Sequence, residues 1–193
     1  MRCLAVACSP RKEANTSILA GEALAGAKKA GAVTEILYLT GYSYAPCMAC
    51  DGCFKNGRCI VKDDAAFIFN KILEADRIIL AAPIFSMSIC AQAKMLIDRS
   101  QQFWAARYIL KQPVVADKEI RPARRGIFIS AAGTNLPGVF EGAIRIIQYF
   151  YKIMEICLAG CFCYPKIDRK GEIKNHPAAL AEVFTAGMEL AGS

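Results

Sequence analysis

Short apolar runs alternate with stretches of helical spacing along this chain. Arg2–Cys8 is a short continuous apolar run, the pattern of a buried strand, and Thr16–Lys29 has helical spacing through Ile18, Leu19, Ala23 and Leu24. Val33–Leu39 is rich in strand formers, and a cysteine-rich loop over 44–62 follows it. Asp63-Asp64 can cap and charge the start of a helix running to about Ala75. Arg77–Ala82 reads as another buried strand and Ile89–Trp104 as a helix. Ala105–Arg124, with Pro113 and Pro122, is the least regular stretch and reads as an inserted excursion. Arg125–Ala131 returns as a strand, Phe140–Met154 as a helix, Glu155–Tyr164 as a last strand and Pro177–Ala191 as a closing helix. There is no internal repeat and no low-complexity linker.

Strands that are apolar without alternation, separated by helices, imply a parallel sheet covered on both faces. The expected fold is α/β, a flavodoxin-like three-layer sandwich with a five-stranded parallel sheet in the order 2-1-3-4-5, formed by residues 1–193 as a single domain. Ligands of such sheets bind outside the carboxyl ends of the strands, at the point where the strand order reverses. The loops after Cys8, Ala82 and Ala131 should therefore meet at one site, and the cysteine loop leaves the same edge.

Composition narrows the function classes. With 55% hydrophobic and 21% charged residues, the 193-residue chain has a globular profile. The start of the chain is apolar for too few residues to form a signal-peptide core, and no apolar run approaches membrane-spanning length, so a cytoplasmic protein without a membrane partner is expected. The net charge of +7 suits an anionic cofactor or an acidic protein partner, or simply a solvated surface. The basic residues form no dense run, so nucleic-acid binding is not expected. Ten cysteines in a reducing compartment do not read as a disulfide framework, and four of them crowd into thirteen positions.

After the first strand, Ser9-Pro10-Arg11-Lys12-Glu13-Ala14-Asn15-Thr16-Ser17 leads directly into a helix. A helix amino terminus offers unpaired N–H groups and a positive dipole end, which suit a phosphate. Ser9, Thr16 and Ser17 add hydroxyls, Asn15 an amide and Arg11 a charge, although the same residues also suit an ordinary capped helix. Pro83-Ile84-Phe85-Ser86-Met87-Ser88 mixes apolar and small polar residues at a strand end, which suits a flat amphipathic ring; Ser86 and Ser88 are candidate caps for the next helix. Ser130-Ala131-Ala132-Gly133 ends the fourth strand with small residues that let the backbone approach a ligand, and Gly133 permits positive φ.

Cys47, Cys50, Cys53 and Cys59 form a C-x2-C-x2-C-x5-C pattern. Closely spaced thiolates wrap the corners of an iron–sulfur cubane, and Gly52 and Gly57 allow tight folding. Without a second triplet, Cys59 completes a single site, and Lys55, Arg58 and Lys62 can offset its negative charge. Structural zinc and unoccupied thiols remain open alternatives, zinc sites more often pairing two C-x2-C units.

Ser9-Pro10-Arg11-Lys12 through Asn15-Thr16, then Pro83–Ser88, then Lys94-x-x-Ile97-Asp98-Arg99 resemble the NADPH-dependent FMN reductase family of flavodoxin-like proteins, and the cysteine loop resembles its iron–sulfur flavoprotein branch. The resemblance runs from Arg2 to about Ala159. It implies FMN, a [4Fe–4S] cluster beside it, and a homodimer or homotetramer. It assigns the phosphate to Ser9, Arg11, Asn15, Thr16 and Ser17. Pro83, Ile84, Phe85, Ser86 and Met87, with Ser130, Ala131, Ala132 and Gly133, would line the ring and ribityl chain, and Cys47, Cys50, Cys53 and Cys59 would bind iron.

The leading expectation is an electron-transfer flavoprotein that takes electrons from a ferredoxin-like donor and reduces a small acceptor. An NAD(P)H-dependent FMN or quinone reductase and a redox or oxygen sensor are the alternatives, and no side chain stands out as a general acid or base. Cys3, Cys8, Cys157, Cys161 and Cys163 read as packing residues. Cys90 opens a helix near the expected ligand, where a thiol pKa can fall, though packing suits it too. His176 reads as a surface residue and Trp104 as core, or as a cover for the flavin or a subunit contact.

Overall fold

The computed structural model describes residues 1–115 and 124–192. In chain order its elements are β1 (Arg2–Ala7), α1 (Asn15–Lys29), β2 (Val33–Tyr38), α2 (Ala65–Glu74), β3 (Arg77–Ala81), β4 (Ile84–Phe85) and β5 (Ser88–Ile89). Then come α3 (Ala91–Asp98), α4 (Gln101–Trp104), β6 (Arg125–Ala131), α5 (Glu141–Ile153), β7 (Cys157–Tyr164) and α6 (Pro177–Gly192). Five strands pair in parallel in the order β2-β1-β3-β6-β7. This is the expected 2-1-3-4-5 order, with a small β4–β5 hairpin between the third and fourth strands of the sheet.

The central strands are apolar without alternation because both faces are covered. Leu4, Val6, Ile78, Leu80 and Phe128 pack on one side with Ile68, Phe69 and Ile72 of α2 and Ile147, Phe150 and Tyr151 of α5. Cys3, Ala5, Ile79, Ile127 and Ile129 pack on the other with Leu19 and Ala23 of α1 and Val183 and Leu190 of α6. Helices α1 and α6 touch backbone to backbone: a Cβ on Gly26 would stand 1.9 Å from the Phe184 carbonyl oxygen, and one on Gly187 would stand 1.9 Å from that of Ala23. Among the described residues no helix is long and apolar enough to cross a membrane.

Three local expectations change. Ser86 and Ser88, expected as helix caps, lie instead in the hairpin, where Ser86 and Met87 form a two-residue turn at φ 49° and 65°. That paired left-handed geometry matches the twist of a tight hairpin but is costly for residues other than glycine. The single helix expected over Ile89–Trp104 starts at Ala91 and is interrupted after Asp98. Of the excursion expected over 105–124, Ala105–Ile109 continues the helical path as a π turn, and 116–123 lie outside the described residues. Arg124, at its end, is buried and donates to the carbonyls of Ala75, Met154 and Ile72.

Candidate functional site

The parallel sheet brings the carboxyl ends of its strands to one edge, and local hydrogen bonds fasten them there. Cys8 N–H donates to the Ala81 carbonyl at 2.8 Å, and Ala82 N–H donates to that of Ile129 at 3.0 Å. The buried Ser130 hydroxyl donates to the Ala82 carbonyl at 2.7 Å. Ser130 is thus a staple between strand ends, and Ala132, also buried, donates its N–H to the Tyr164 carbonyl.

A pocket opens at this edge. Ser9, Arg11, Asn15 and Thr16 line it from the first loop, Pro83, Ile84 and Phe85 from the second, and Ala131 and Gly133 from the third. Ser17, Ser86, Met87, Ser130 and Ala132 do not line it. The Ser9 hydroxyl accepts the Arg11 N–H at 3.2 Å, closing the turn before the helix. Asn15 spends its side chain on the far loop: Nδ2 donates to the Arg169 carbonyl at 2.9 Å, and Oδ1 accepts from Ile173 N–H at 3.2 Å. The Thr16 hydroxyl is different. It is buried and has no hydrogen-bond partner among the described residues. A buried hydroxyl beside the unpaired N–H groups of a helix amino terminus is a suitable donor to an anionic ligand. The residues present therefore fit a phosphate.

Gly133 acts by closeness rather than by positive φ, since a Cβ there would meet the Asp168 carboxylate at 2.9 Å. Cys90 and Cys8 lie together behind the pocket, the Cys90 thiol donating to the Cys8 carbonyl at 3.3 Å. Burial raises the pKa of both, so Cys90 is a packing residue and not an activated thiol. Burial likewise pushes the Cys163 thiol up to about 12. His176 is exposed, as expected, whereas Trp104 is half-buried against Phe54 of the cysteine loop.

The cysteine loop is built by local turns. Ala49, Asp51 and Gly57 have positive φ, and Gly57 N–H donates to the Cys53 carbonyl at 2.8 Å. Cys47, Cys50, Cys53 and Cys59 line one cavity together with Arg99 and Gln102. Cys53 is raised first by burial, and the sulfurs of Cys59, Cys47 and Cys50 add to the shift, so those three lie within electrostatic reach of Cys53. The four sulfurs are not gathered at metal-bonding distance, and no group of three ligating side chains is so placed among the described residues. The donor set suits iron–sulfur or zinc; ligation would require the loop to tighten.

The loop is clamped to the protein at both ends. Arg99, 2% exposed, donates from Nη1 to Asp63 Oδ2 at 2.6 Å and to the Ala45 carbonyl at 2.9 Å. Its Nη2 donates to Asp63 Oδ1 at 3.1 Å and to the Val61 carbonyl at 3.3 Å. Asp63 also accepts the Ala45 and Ala65 N–H groups, and Asp64 accepts Ser43 N–H. Asp63 therefore satisfies the first N–H of α2, and the acidic pair together ties off the loop. Burial alone would raise the Asp63 carboxyl, but Arg99 and the two backbone donors outweigh it and hold the carboxyl below its ordinary range.

The model for the NADPH-dependent FMN reductase family matches residues 1–138. This chain belongs to that family. It falls in the iron–sulfur flavoprotein branch, being 40% identical over 160 residues to an iron–sulfur flavoprotein of Methanocaldococcus jannaschii. That match covers 83% of this chain and 76% of the relative. An iron–sulfur flavoprotein of Methanosarcina thermophila is 35% identical over 126 residues, covering 65% of this chain and 66% of the relative. Among solved structures, a flavone reductase superposes with TM-score 0.74 at 18% identity, over 99% of this chain and 62% of the other. An FMN-dependent NADH-azoreductase from Bacillus anthracis in complex with FMN superposes with TM-score 0.70 at 15% identity, over 99% and 100%. At such identities these structures bear on the fold alone.

In this FMN reductase family member the pocket also has a wall that the sequence patterns did not indicate. Ile167, Asp168 and Lys170, just beyond β7, complete it. Topology was the available signal, because a loop after a fifth parallel strand must reach the same edge. Asn15 holds that loop against the first one through its contacts with Arg169 and Ile173.

Proposed function

We propose that this flavin-dependent oxidoreductase takes electrons from a ferredoxin-like donor and passes them by way of FMN to a small acceptor, its Cys47–Cys59 loop carrying a [4Fe–4S] cluster. The observation that carries the reading is the buried Thr16 hydroxyl, without a partner among the described residues, in a pocket lined by the first, third and fourth strand ends, on the edge from which the cysteine loop departs. Bound FMN would supply the redox chemistry and the cluster single-electron relay. Ser9, Arg11, Thr16 and the free N–H groups at the start of α1 would bind the phosphate. Pro83, Ile84 and Phe85 would flank the ring, Ala131 and Gly133 would pass close to it, and Asp168, which lines the same pocket, would accept from ribityl hydroxyls. Cys47, Cys50, Cys53 and Cys59 would hold iron. Phe85 and Met87 are 43% and 44% exposed at the hairpin, which favours a homodimer or homotetramer that covers them beside the flavin.

Anaerobic purification followed by iron, sulfide and flavin analysis should find iron and sulfide in the ratio the cluster requires, with FMN. Cys53→Ser should lose most of the iron and keep the flavin. Zinc, or flavin without iron in the parent protein, would overturn the cluster assignment. In stopped-flow mixing, reduced ferredoxin should reduce the flavin. Rapid full reduction by NAD(P)H with no response to ferredoxin would instead establish the NAD(P)H-dependent reductase, the reading that the family's description favours.

Thr16→Val tests the phosphate site alone. A lost hydrogen bond to a charged group costs about 1.5–3 kcal/mol, so the FMN dissociation constant should rise roughly tenfold to a hundredfold. The flavin-free variant should melt no lower than the parent, because valine removes a buried hydroxyl that was unpaired. Fluorescence titration with FMN and thermal unfolding of the apoprotein check both.

A further inference from the structure

Arg99 satisfies four acceptors with its two terminal nitrogens and leaves the third nitrogen unused. Its Nε is buried and has no hydrogen-bond partner among the described residues. A buried guanidinium N–H without an acceptor is costly and calls for a ligand that arrives later. Arg99 lines the cavity of the four cysteines, and Cys59 is within electrostatic reach of the guanidinium. Cys59 is also held from the same helical turn. Its backbone N–H donates to Gln102 Oε1 at 3.1 Å, while Gln102 Nε2 donates to the Arg99 carbonyl at 3.3 Å.

We propose that Arg99 is a positioning residue for Cys59, its Nε–H donating a hydrogen bond to Cys59 Sγ once that sulfur is bound to iron. The inference rests on the iron–sulfur reading of the loop. Cys59 is separated from the triplet by the long x5 gap, so the loop itself constrains its position least. Gln102 anchors its backbone and Arg99 its sulfur. The hydrogen bond has an electronic consequence as well. Adding one electron from a titrant makes the cluster more negative by one charge, and a donor to a ligating sulfur stabilises that reduced form.

The test compares anaerobically purified holoprotein carrying Arg99→Lys or Asp63→Asn with the parent in a redox titration of the cluster. Lysine keeps the positive charge but has no Nε–H. Asp63→Asn weakens the loop clamp and leaves Nε in place. Arg99→Lys should make reduction about tenfold less favourable, which for one electron lowers the midpoint by roughly 59 mV. Asp63→Asn should lose iron faster in air and titrate like the parent. Equal midpoints for Arg99→Lys and parent, or an equal shift in Asp63→Asn, would overturn the proposal and leave the cluster assignment standing. Absence of iron from the parent would overturn the cluster assignment and this inference together.

If Arg99→Lys does not fold, the parent decides. Grown with arginine labelled with 15N at Nε, its reduced cluster should show a weak nitrogen coupling in pulsed EPR that persists in Arg58→Lys. No such coupling, or its loss in Arg58→Lys, would reject the hydrogen bond from Arg99.

Discussion

Replacing Arg99 by methionine should lower the unfolding free energy by about 3–5 kcal/mol at pH 7, the usual cost of removing one partner of a buried ion pair. Methionine fills much of the vacated volume, so the cost is mainly polar. Asp63 loses its counter-charge, and the carbonyls of Ala45 and Val61 lose their donor. The effect has a defined pH dependence. The folded Asp63 carboxyl is held below its ordinary range, so its contribution is fully present above the unfolded value, about 3.9. That contribution is lost as pH falls through the lower folded value. The gap between parent and variant, measured by urea unfolding, should be widest near neutrality and narrow below about pH 4. Hydrogen exchange should rise across 43–63, where Asp63 and Asp64 now hold the chain, and stay unchanged in β3 and β6.

Gly187→Val should be comparably damaging, at the upper end of the roughly 1–3 kcal/mol typical of overpacking. The added Cβ would sit 1.9 Å from a backbone oxygen of α1, and no rotamer can relieve a clash with main chain. The helices must separate, and α1 is the element whose first turn carries Thr16. FMN affinity should therefore fall together with the melting temperature, although Gly187 itself does not line the pocket. Gly21→Ala is the control, because a Cβ there meets nothing within 4 Å. That variant should be neutral or gain up to about 1 kcal/mol from helix propensity. If Gly187→Val melts like the parent, the close α1–α6 contact does not hold the helix in place.

The regular elements were legible because their signals are local and strong. Arg77–Ala81 is buried at every position, and its short apolar run after Arg77 reads as a strand covered on both faces. The hairpin at Ile84–Ile89 was not legible, since Ser86-Met87 lacks the glycine or asparagine that a turn with two positive φ values usually carries. The π turn at Ala105–Ile109 lies just before Pro113, and that proline made the stretch read as irregular. In the site, residue type pointed to the right loops but not always to the role. Asn15 and Ser130 have the chemistry of ligand-binding residues, yet each spends its side chain on joining chain segments.

The sequence by itself determined the layered α/β architecture and the set of four thiols, because periodicity and cysteine spacing are properties of neighbours along the chain. Only the tertiary structure decided which polar groups remain available. Thr16 and Arg99 look no different in sequence from Asn15 and Arg124. Their distinction is that folding buries Thr16 Oγ1 and Arg99 Nε without supplying a partner among the described residues, while Asn15 and Arg124 donate to carbonyls distant in sequence. Hydrogen-bond satisfaction depends on contacts across the whole fold, so no local pattern encodes it.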